Sequence, residues 1–427
     1  MSLKLVELLS DQHSPNLDIV DLILSNLGIA GIFALHATCR RLRWVVRHMT
    51  ESPYLLNINK KLERYFDDPA SFRYQLGKCN GVIRGDFVRS FLAFSSPTSS
   101  TLDVVAQGGS NIGALMRYLY RDEGYIRDWQ GDTPLDDDDN ENDNNDNNDD
   151  DSSDEDDEDN DDYTLSYGFI ILRRRKPFDV SVRIKLASPI FEIINNADTS
   201  ADLMFISWNK VYCLFPLPTI KRHKFFFVRP ADAIRGDTPR EYKAAGWTTR
   251  DFVWPDEAPE LIPREALQQI GGQRSLIIDL TDPPIGEFTP DYVLESGVFS
   301  INWAVANFDG HYILSVGVHQ SFTRVALRYI NTTGLTGIAQ QSWHEFLQSR
   351  VRLWVYMELR KMDPIDMPAC NHLNIWYKCP MCVRVRMPST WDYADDHVFT
   401  WFQEWRRKET GLVLLPPAPV ANPGFSL

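Results

Sequence analysis

The sequence predicts an α+β chain: an N-terminal helical module, a mixed-sheet body and a mixed α/β C-terminal region. Three observations predict it. Residues 14–48 (SPNLDIVDLILSNLGIAGIFALHATCRRLRWVVRH) carry helical periodicity and helix punctuation. Between Asn80 and Phe215, short aliphatic runs alternate with amphipathic segments, interrupted by one acidic run. After Ser275, three apolar strand-like runs precede two long amphipathic segments.

The N-terminal helix opens at Ser14-Pro15, an N-cap followed by proline at the first helical position. It runs to Asn26-Leu27, with Gly28 as a left-handed stop. At about 100° per residue, Leu17, Val20, Ile23, Leu24 and Leu27 form one stripe, and Ile19 and Leu22 fall outside it. The apolar arc therefore covers well over half the helix, more than the ~100° that an ordinary surface helix needs. A helix apolar on two sides has two surfaces to bury, one on its own domain and one on a partner. Two further helical pieces are expected, Gly31 to Ala37 and Thr38 to His48, the last bearing Arg40, Arg41, Arg43 and Arg47.

In the body, strands are expected at Gly81–Ile83, Thr101–Ala106, Leu165–Leu172, Val180–Leu186, Leu203–Trp208 and Val211–Phe215. Helices are expected at Phe87–Phe94, Asn111–Tyr120 and Pro189–Asn196. Residues 132–162 hold 19 acidic residues and no Lys or Arg. Self-repulsion and the near-absence of apolar side chains forbid a packed structure there, so an acidic disordered insertion is expected. Ser152 and Ser153, each followed three residues later by an acid, have the pattern acidophilic kinases favour. The net charge of −15 belongs to this run, because the remainder carries 44 bases against 40 acids. The basic run Arg173–Lys176 reads as a solvated strand end, a nuclear signal or a phosphate patch.

Pro230 to Pro263 reads as an irregular connector. Strands are expected at Ser275–Leu280, Ser296–Ala306 and Tyr312–Val318, and helices at Gln341–Met362 and Asp396–Thr410. In the first of these helices Trp343, Phe346, Leu347, Trp354 and Met357 supply the apolar side; in the second, Trp401 and Trp405 do. Cys379-Pro380-Met381-Cys382 has the spacing that lets two thiolates reach one zinc, and Cys370 and His372 could complete a Cys3His structural site. The competing reading is reduced, buried cysteines. No cofactor is otherwise implied. Six cysteines with no even framework fit a reducing, intracellular compartment, cytoplasm or nucleus. No apolar run of membrane-spanning length and no signal peptide are expected, and neither a membrane nor nucleic acid is an expected partner.

Residues 14–48 resemble an F-box. The elements that carry the resemblance are Asp18-Ile19, Ile23-Leu24-Ser25-Asn26-Leu27, Ile32-Phe33-Ala34-Leu35 and Cys39-Arg40-Arg41-Leu42-Arg43, with the usual Leu-Pro opening displaced. The resemblance implies docking to a Skp-type adaptor and, through it, a cullin scaffold. The implied adaptor-binding residues are Leu17, Ile19, Val20, Ile23, Leu24, Leu27, Ile32, Leu35, Cys39 and Leu42. A plain helical hairpin and a helix-turn-helix DNA reader are the other readings of the same stretch.

The body looks like the nucleotidyltransferase-like region of a fungal group of F-box-associated proteins. GVIRGDFVRSFL, SSTLDVV and VRIKLASPIFEIINNADTSADLMFISWNKVYCLFPLPT carry that match. Nucleotidyl transfer needs two carboxylates at i and i+2 on a strand facing one metal pair, and a small turn at a helix N-terminus to cradle phosphate. Here Thr101 takes the first acidic position and only Asp103 remains, while Asp86 follows Gly85 where a serine is usual. Asp202 is the nearby candidate for a third ligand. Gly85, Asp86, Thr101 and Asp103 thus form a degenerate site, and no catalytic residue is expected.

The expected domains are an F-box-like helical module (1–52), a nucleotidyltransferase-like mixed-sheet domain (53–131 and 163–228) around the insertion (132–162), and an α+β C-terminal region (229–427). The body is expected to fold without residues 1–50. The expected function is recruitment of an unidentified protein substrate to an SCF-type ubiquitin ligase. The alternatives are a metal-dependent nucleotidyltransferase and a non-ligase scaffold.

Overall fold

The computed structural model describes residues 9, 16–107, 110–128, 169–175, 178–229, 242–243, 246–250, 266–305, 312–318, 326–327, 329, 337–362 and 390–410. It is a mixed α+β chain with an N-terminal helix.

Helix α1 spans Leu17–Thr38 with Asn16 at its N-cap, but Gly28 has non-helical torsions (φ 65°, ψ 174°) and divides it in two. The expected stop at Gly28 is therefore a break after which the helix resumes. Glycine tolerates this backbone because it lacks a Cβ. Ser14 and Pro15 lie outside the described residues. At Cys39 the chain turns extended, its Sγ accepts the Arg41 N–H at 3.3 Å, and one 3-10 turn follows (Arg40–Leu42). Helix α2 (Trp44–Glu51) packs back on α1. Where one helix was expected over Thr38–His48, there is a turn and a shorter helix. Two further helices, α3 (Ile58–Leu62) and α4 (Pro69–Lys78), are capped by Asn57 and Asp68 side chains accepting from Lys60 N and Ser71 N.

The body is one eight-stranded mixed sheet. Its strands are β1 (Val82–Arg84), β2 (Thr101–Ala106), β3 (Ile126–Arg127), β4 (Phe169–Arg174), β5 (Val180–Leu186), β6 (Met204–Ile206), β7 (Lys210–Cys213) and, separated in sequence, β11 (Leu276–Asp279). The spatial order is β11-β7-β6-β1-β2-β5-β4-β3. Only β2 and β5 are parallel, with Asp103 opposite Arg183. Helices α5 (Asp86–Leu92), α6 (Ser110–Arg117) and α7 (Pro189–Asn195) lie between strands in sequence. Strand β11 comes from the region the sequence assigned to a separate C-terminal unit, so that boundary does not hold: Leu276–Asp279 pairs with Cys213–Lys210.

Alternation along the strands sends side chains to two cores. Leu102, Val104, Ile170, Val182 and Ile184 face a core shared with the N-terminal helices, including Val20, Leu24, Ile32, Leu42 and Val45. Val82, Val105, Phe205 and Tyr212 face a second core with α7 and a three-stranded sheet. That sheet is β10 (Ala266–Gln269), β12 (Val298–Val305) and β13 (Tyr312–Gly317), in the order β10-β12-β13. A two-stranded parallel pair, β8 (Lys224–Phe226) with β9 (Thr248–Arg250), and a short helix α8 (Asp291–Glu295) complete the connections. The C-terminal helices α9 (Gly337–Leu359) and α10 (Asp395–Thr410) bury Trp343, Leu347, Val351, Trp401 and Trp405 against each other. Met357, expected on the inner side of α9, faces outward; Val351 and Val355 fill that face instead.

Two buried arginines stitch the architecture. Arg73 on α4 donates to the carbonyls of Trp208 (2.9 Å), Thr281 (3.1 Å) and Asp282 (3.1 Å) and to Asn59 Oδ1 (2.9 Å), joining α3 and α4 to the segment after β11. Burial pulls its guanidinium down to about 10, which leaves it charged at neutral pH. Arg174 is not a solvated strand end: it is buried and paired with Glu123 (2.9 Å), and it donates to Tyr65 O (2.6 Å). Glu123 in turn accepts from the Asp67 and Asp68 amides and from Tyr118. Strands β3 and β4 pair antiparallel, Ile126 opposite Arg173, and the Asp128 amide donates to Ile171 O (2.8 Å). The connection carrying the acidic run therefore leaves and rejoins the sheet between neighbouring strands. The run itself lies outside the described residues.

Candidate functional site

Two regions carry the residues the sequence singled out. The first is α1. Its periodicity divides it into an inner face, where Val20, Leu24, Ile29 and Ile32 are buried, and an outer face. Leu17 (46% exposed) and Leu27 (41%) are open at the ends of the stripe, and Ile19 (42%) and Leu22 (64%) are open off it. Ile23, Leu35 and Cys39 are half-buried at the margin, and Leu42 is buried. Of the ten residues assigned to adaptor contact, Val20, Leu24, Ile32 and Leu42 are therefore core residues. A fully enclosed side chain holds the hairpin together and cannot meet a partner. Leu22, omitted from that set because it lies off the stripe, is the most open apolar side chain on the helix.

The inner face also contains Asp21, which apolar periodicity does not single out. Its Oδ1 lies 2.6 Å from His48 Nε2, and its Oδ2 accepts the Ser52 hydroxyl at 2.8 Å. These bonds lock α2 and the following turn onto α1. The partners lie 27 and 31 residues away in sequence, so only the lone acid on an apolar stripe hinted at the pair. Beside the hairpin's tip Arg40, Arg41 and Arg43 are exposed, while Arg47 pairs with Glu51 at 2.7 Å.

By length and composition, Leu17–Thr38 also qualifies as a membrane-spanning helix, contrary to the sequence expectation that no run had that length. The break at Gly28 leaves two halves, each about half the ~20 residues a span requires.

The second region lies where β1 gives way to α5. Gly85 has φ 77°, and a Cβ there would sit 3.0 Å from Asp103 Oδ2, so glycine lets the turn approach β2 closely. The fold gathers Gly85, Asp86, Asp103 and Asp202 into one cluster. Asp86 Oδ2 accepts from Thr98 N, Thr98 Oγ1 and Ser99 N, each at 2.9 Å. Asp103 is clamped by Arg183, Nε to Oδ1 at 2.6 Å and Nη2 to Oδ2 at 2.7 Å. The Arg183 guanidinium is held above its ordinary range by that hydrogen bond. Asp202 accepts from Thr199 N (2.9 Å), Thr199 Oγ1 (2.8 Å) and Tyr242 OH. Arg89 lies between Asp202 (3.5 Å) and Asp86 (3.7 Å). Thr101 Oγ1 bonds Ser181 Oγ at 2.7 Å. Asp198, beside this group, is raised above the usual carboxylate range, first by burial and then by Asp202.

Two-metal chemistry needs carboxylate oxygens turned toward a shared cation. Here guanidinium groups and backbone amides take those oxygens, so the donor set does not fit a metal pair. Among the described residues no group of three or more His, Cys, Asp or Glu side chains is placed to hold a metal ion. The zinc candidates Cys370, His372, Cys379 and Cys382 lie outside the described residues. Cys79 and Cys213 are buried, and burial pushes both thiols up to about 12, far from nucleophilic at neutral pH.

Comparison with protein-family models, with curated proteins and with solved structures finds no match to this chain.

Proposed function

We propose that the chain is an F-box substrate-recognition subunit, which recruits a protein target to a cullin-RING ubiquitin ligase of the SCF type through a Skp-type adaptor. The observation that carries this reading is the outer face of α1. Leu17, Ile19, Leu22 and Leu27 stand open on a helix whose other side is fixed in the core by Val20, Leu24 and the Asp21–His48 pair. Several large apolar side chains left open on a helix that is held from behind mark a surface to be covered. The Cys39-Arg40-Arg41-Leu42-Arg43 element beside it is the other sequence feature of the resemblance.

On this reading the body is a nucleotidyltransferase-like domain without activity, since Arg183 and Arg89 occupy the carboxylates that metal ions would need. It serves as the platform for the substrate, inside the cell. The rival reading, a metal-dependent nucleotidyltransferase, requires Asp103 to leave a bidentate arginine. A scaffold that uses the same helix outside any ligase is the other alternative, separated from the first by whether a cullin is present.

Affinity purification of the full chain from cells, with partner identification, tests the proposal. An adaptor and a cullin should co-purify. Leu22→Asp should reduce adaptor binding at least about 30-fold, while changing stability by no more than ~0.5 kcal/mol because Leu22 packs little in the free chain. Adaptor binding that survives Leu17→Asp and Leu22→Asp together would remove α1 from the interface.

A further inference from the structure

We propose that Ser96 is a phosphorylation site for a proline-directed protein kinase, with Arg64 receiving the phosphate. Ser-Pro or Thr-Pro pairs within the described residues begin at Ser52, Ser96, Ser188 and Thr289. Ser52 is buried and donates to Asp21. Ser188 is buried at the N-cap of α7. Thr289 is half-buried. Ser96 alone of the four is exposed, in the irregular connection between α5 and β2. A kinase cleft needs an extended, accessible segment with an unengaged hydroxyl. The Ser95 hydroxyl is taken by Ser90 O (3.2 Å) and the Thr98 hydroxyl by Asp86, whereas the Ser96 hydroxyl makes no bond to a described residue.

The loop is pinned just after the serine. Arg64 Nη1 donates to Pro97 O at 2.9 Å, Tyr65 OH donates to Ser99 O at 3.1 Å, and Asp86 holds Thr98 and Ser99 from the body. Arg64 therefore stands one residue from Ser96, and its guanidinium can bind a phosphate through charge-assisted hydrogen bonds. In the reaction Ser96 Oγ attacks the γ-phosphorus of ATP held by the kinase. The new O–P bond forms as the bond to the ADP oxygen breaks, and the hydroxyl proton passes to the kinase's catalytic carboxylate. Thr98 and Ser99 follow the proline, so the enzyme class is one that reads Ser-Pro without a downstream basic residue. The phosphate would tighten a clip joining the α3–α4 connection to the loop before β2, independently of whether α1 binds an adaptor.

The test treats the full chain with a mitogen-activated-type kinase and Mg-ATP, then maps phosphopeptides and records thermal unfolding. Phosphate should appear on Ser96 and vanish in Ser96→Ala with other peptides unchanged. Phosphorylation at Ser96 should raise the melting temperature by roughly 2 °C. That rise should be lost in Arg64→Gln, which keeps an N–H donor for Pro97 O but no charge. An unmodified Ser96 would overturn the site. Absence of the rise in the wild type, or its persistence in Arg64→Gln, would overturn the role of Arg64.

Discussion

On α1, four apolar side chains project from a helix that the core grips only from behind, whereas at the start of α5 each carboxylate already has an internal partner. Leu17, Ile19, Leu22 and Leu27 leave surface unburied that would repay cover at about 25 cal/mol per Å². Asp86, Asp103 and Asp202 instead spend their lone pairs on Thr98, Ser99, Arg183, Thr199 and Tyr242. A surface that costs free energy when bare is one to be covered by something else. A charge cluster neutralised from within asks nothing of a metal or a triphosphate. On the reading proposed above, the first region binds a partner and the second supports the fold.

The strongest way to break the comparison is to remove the helical module. Residues 1–50 share one core with the sheet: Val20, Leu24, Ile32, Leu42, Val45 and Met49 join Leu102, Val104 and Val182. This shared core argues against the expectation that the body folds without residues 1–50, since each such side chain contributes about 1.5–3 kcal/mol of burial. Deletion of residues 1–50 should lower the melting temperature by about 10 °C or more, or abolish cooperative unfolding. Calorimetry checks this, and a wild-type transition in the truncated chain would make the module separable.

Next in size is the difference between the two faces of α1. Leu24→Asp places an unpaired carboxylate in the core and should cost about 3–5 kcal/mol in urea unfolding. That loss should contrast with the near-neutral effect on stability expected at Leu22. Equal costs at both positions would mean that the outer face is not open in the free chain.

Smaller again is the clamp on β2. Arg183→Ala leaves a mostly buried Asp103 unpaired and should cost about 2 kcal/mol, held down by the partial exposure of the arginine. In a double-mutant cycle Asp103→Asn should remove most of that penalty. No variant of the cycle should incorporate labelled nucleotide in magnesium or manganese. Transfer by the wild type that is lost in Asp103→Asn would restore the enzyme reading.

Most strands of the body, though not β3, and the left-handed backbone at Gly28 were legible because they depend on local signals. Thr101–Ala106 and Val180–Leu186 have the bounds the sequence suggested, and Gly28 carries the positive φ. What stayed hidden was set by distant partners. Leu276–Asp279 reads as a strand, but nothing local says that it pairs with β7 across more than sixty intervening residues. Asp103 looks like a lone metal ligand until the parallel register of β2 and β5 brings Arg183 opposite it. The same limit applies to α1, where periodicity found an over-wide apolar arc but not which half faces outward; Asp21 and its partners His48 and Ser52 decide that.

The mildest perturbation concerns the acidic run. Residues 127 and 169 belong to adjacent antiparallel strands, held by Asp128 N to Ile171 O and by the pairing of Arg173 with Ile126. A connection between neighbours need only be long enough to turn, and two to five residues suffice for a hairpin. The anchors of this sheet edge, Glu123, Arg174 and Tyr118, all lie within the described body. Removing residues 132–162 shortens the connection about fourfold, which lowers its closure entropy by about 1 kcal/mol, and takes from the chain a single large apolar side chain, Leu135. Stability should therefore be unchanged or raised by about 1 kcal/mol, with adaptor binding through α1 intact. A marked fall in melting temperature would show that the acidic run packs on the body, and would replace the picture of a body satisfied from within by one that depends on its own insertion.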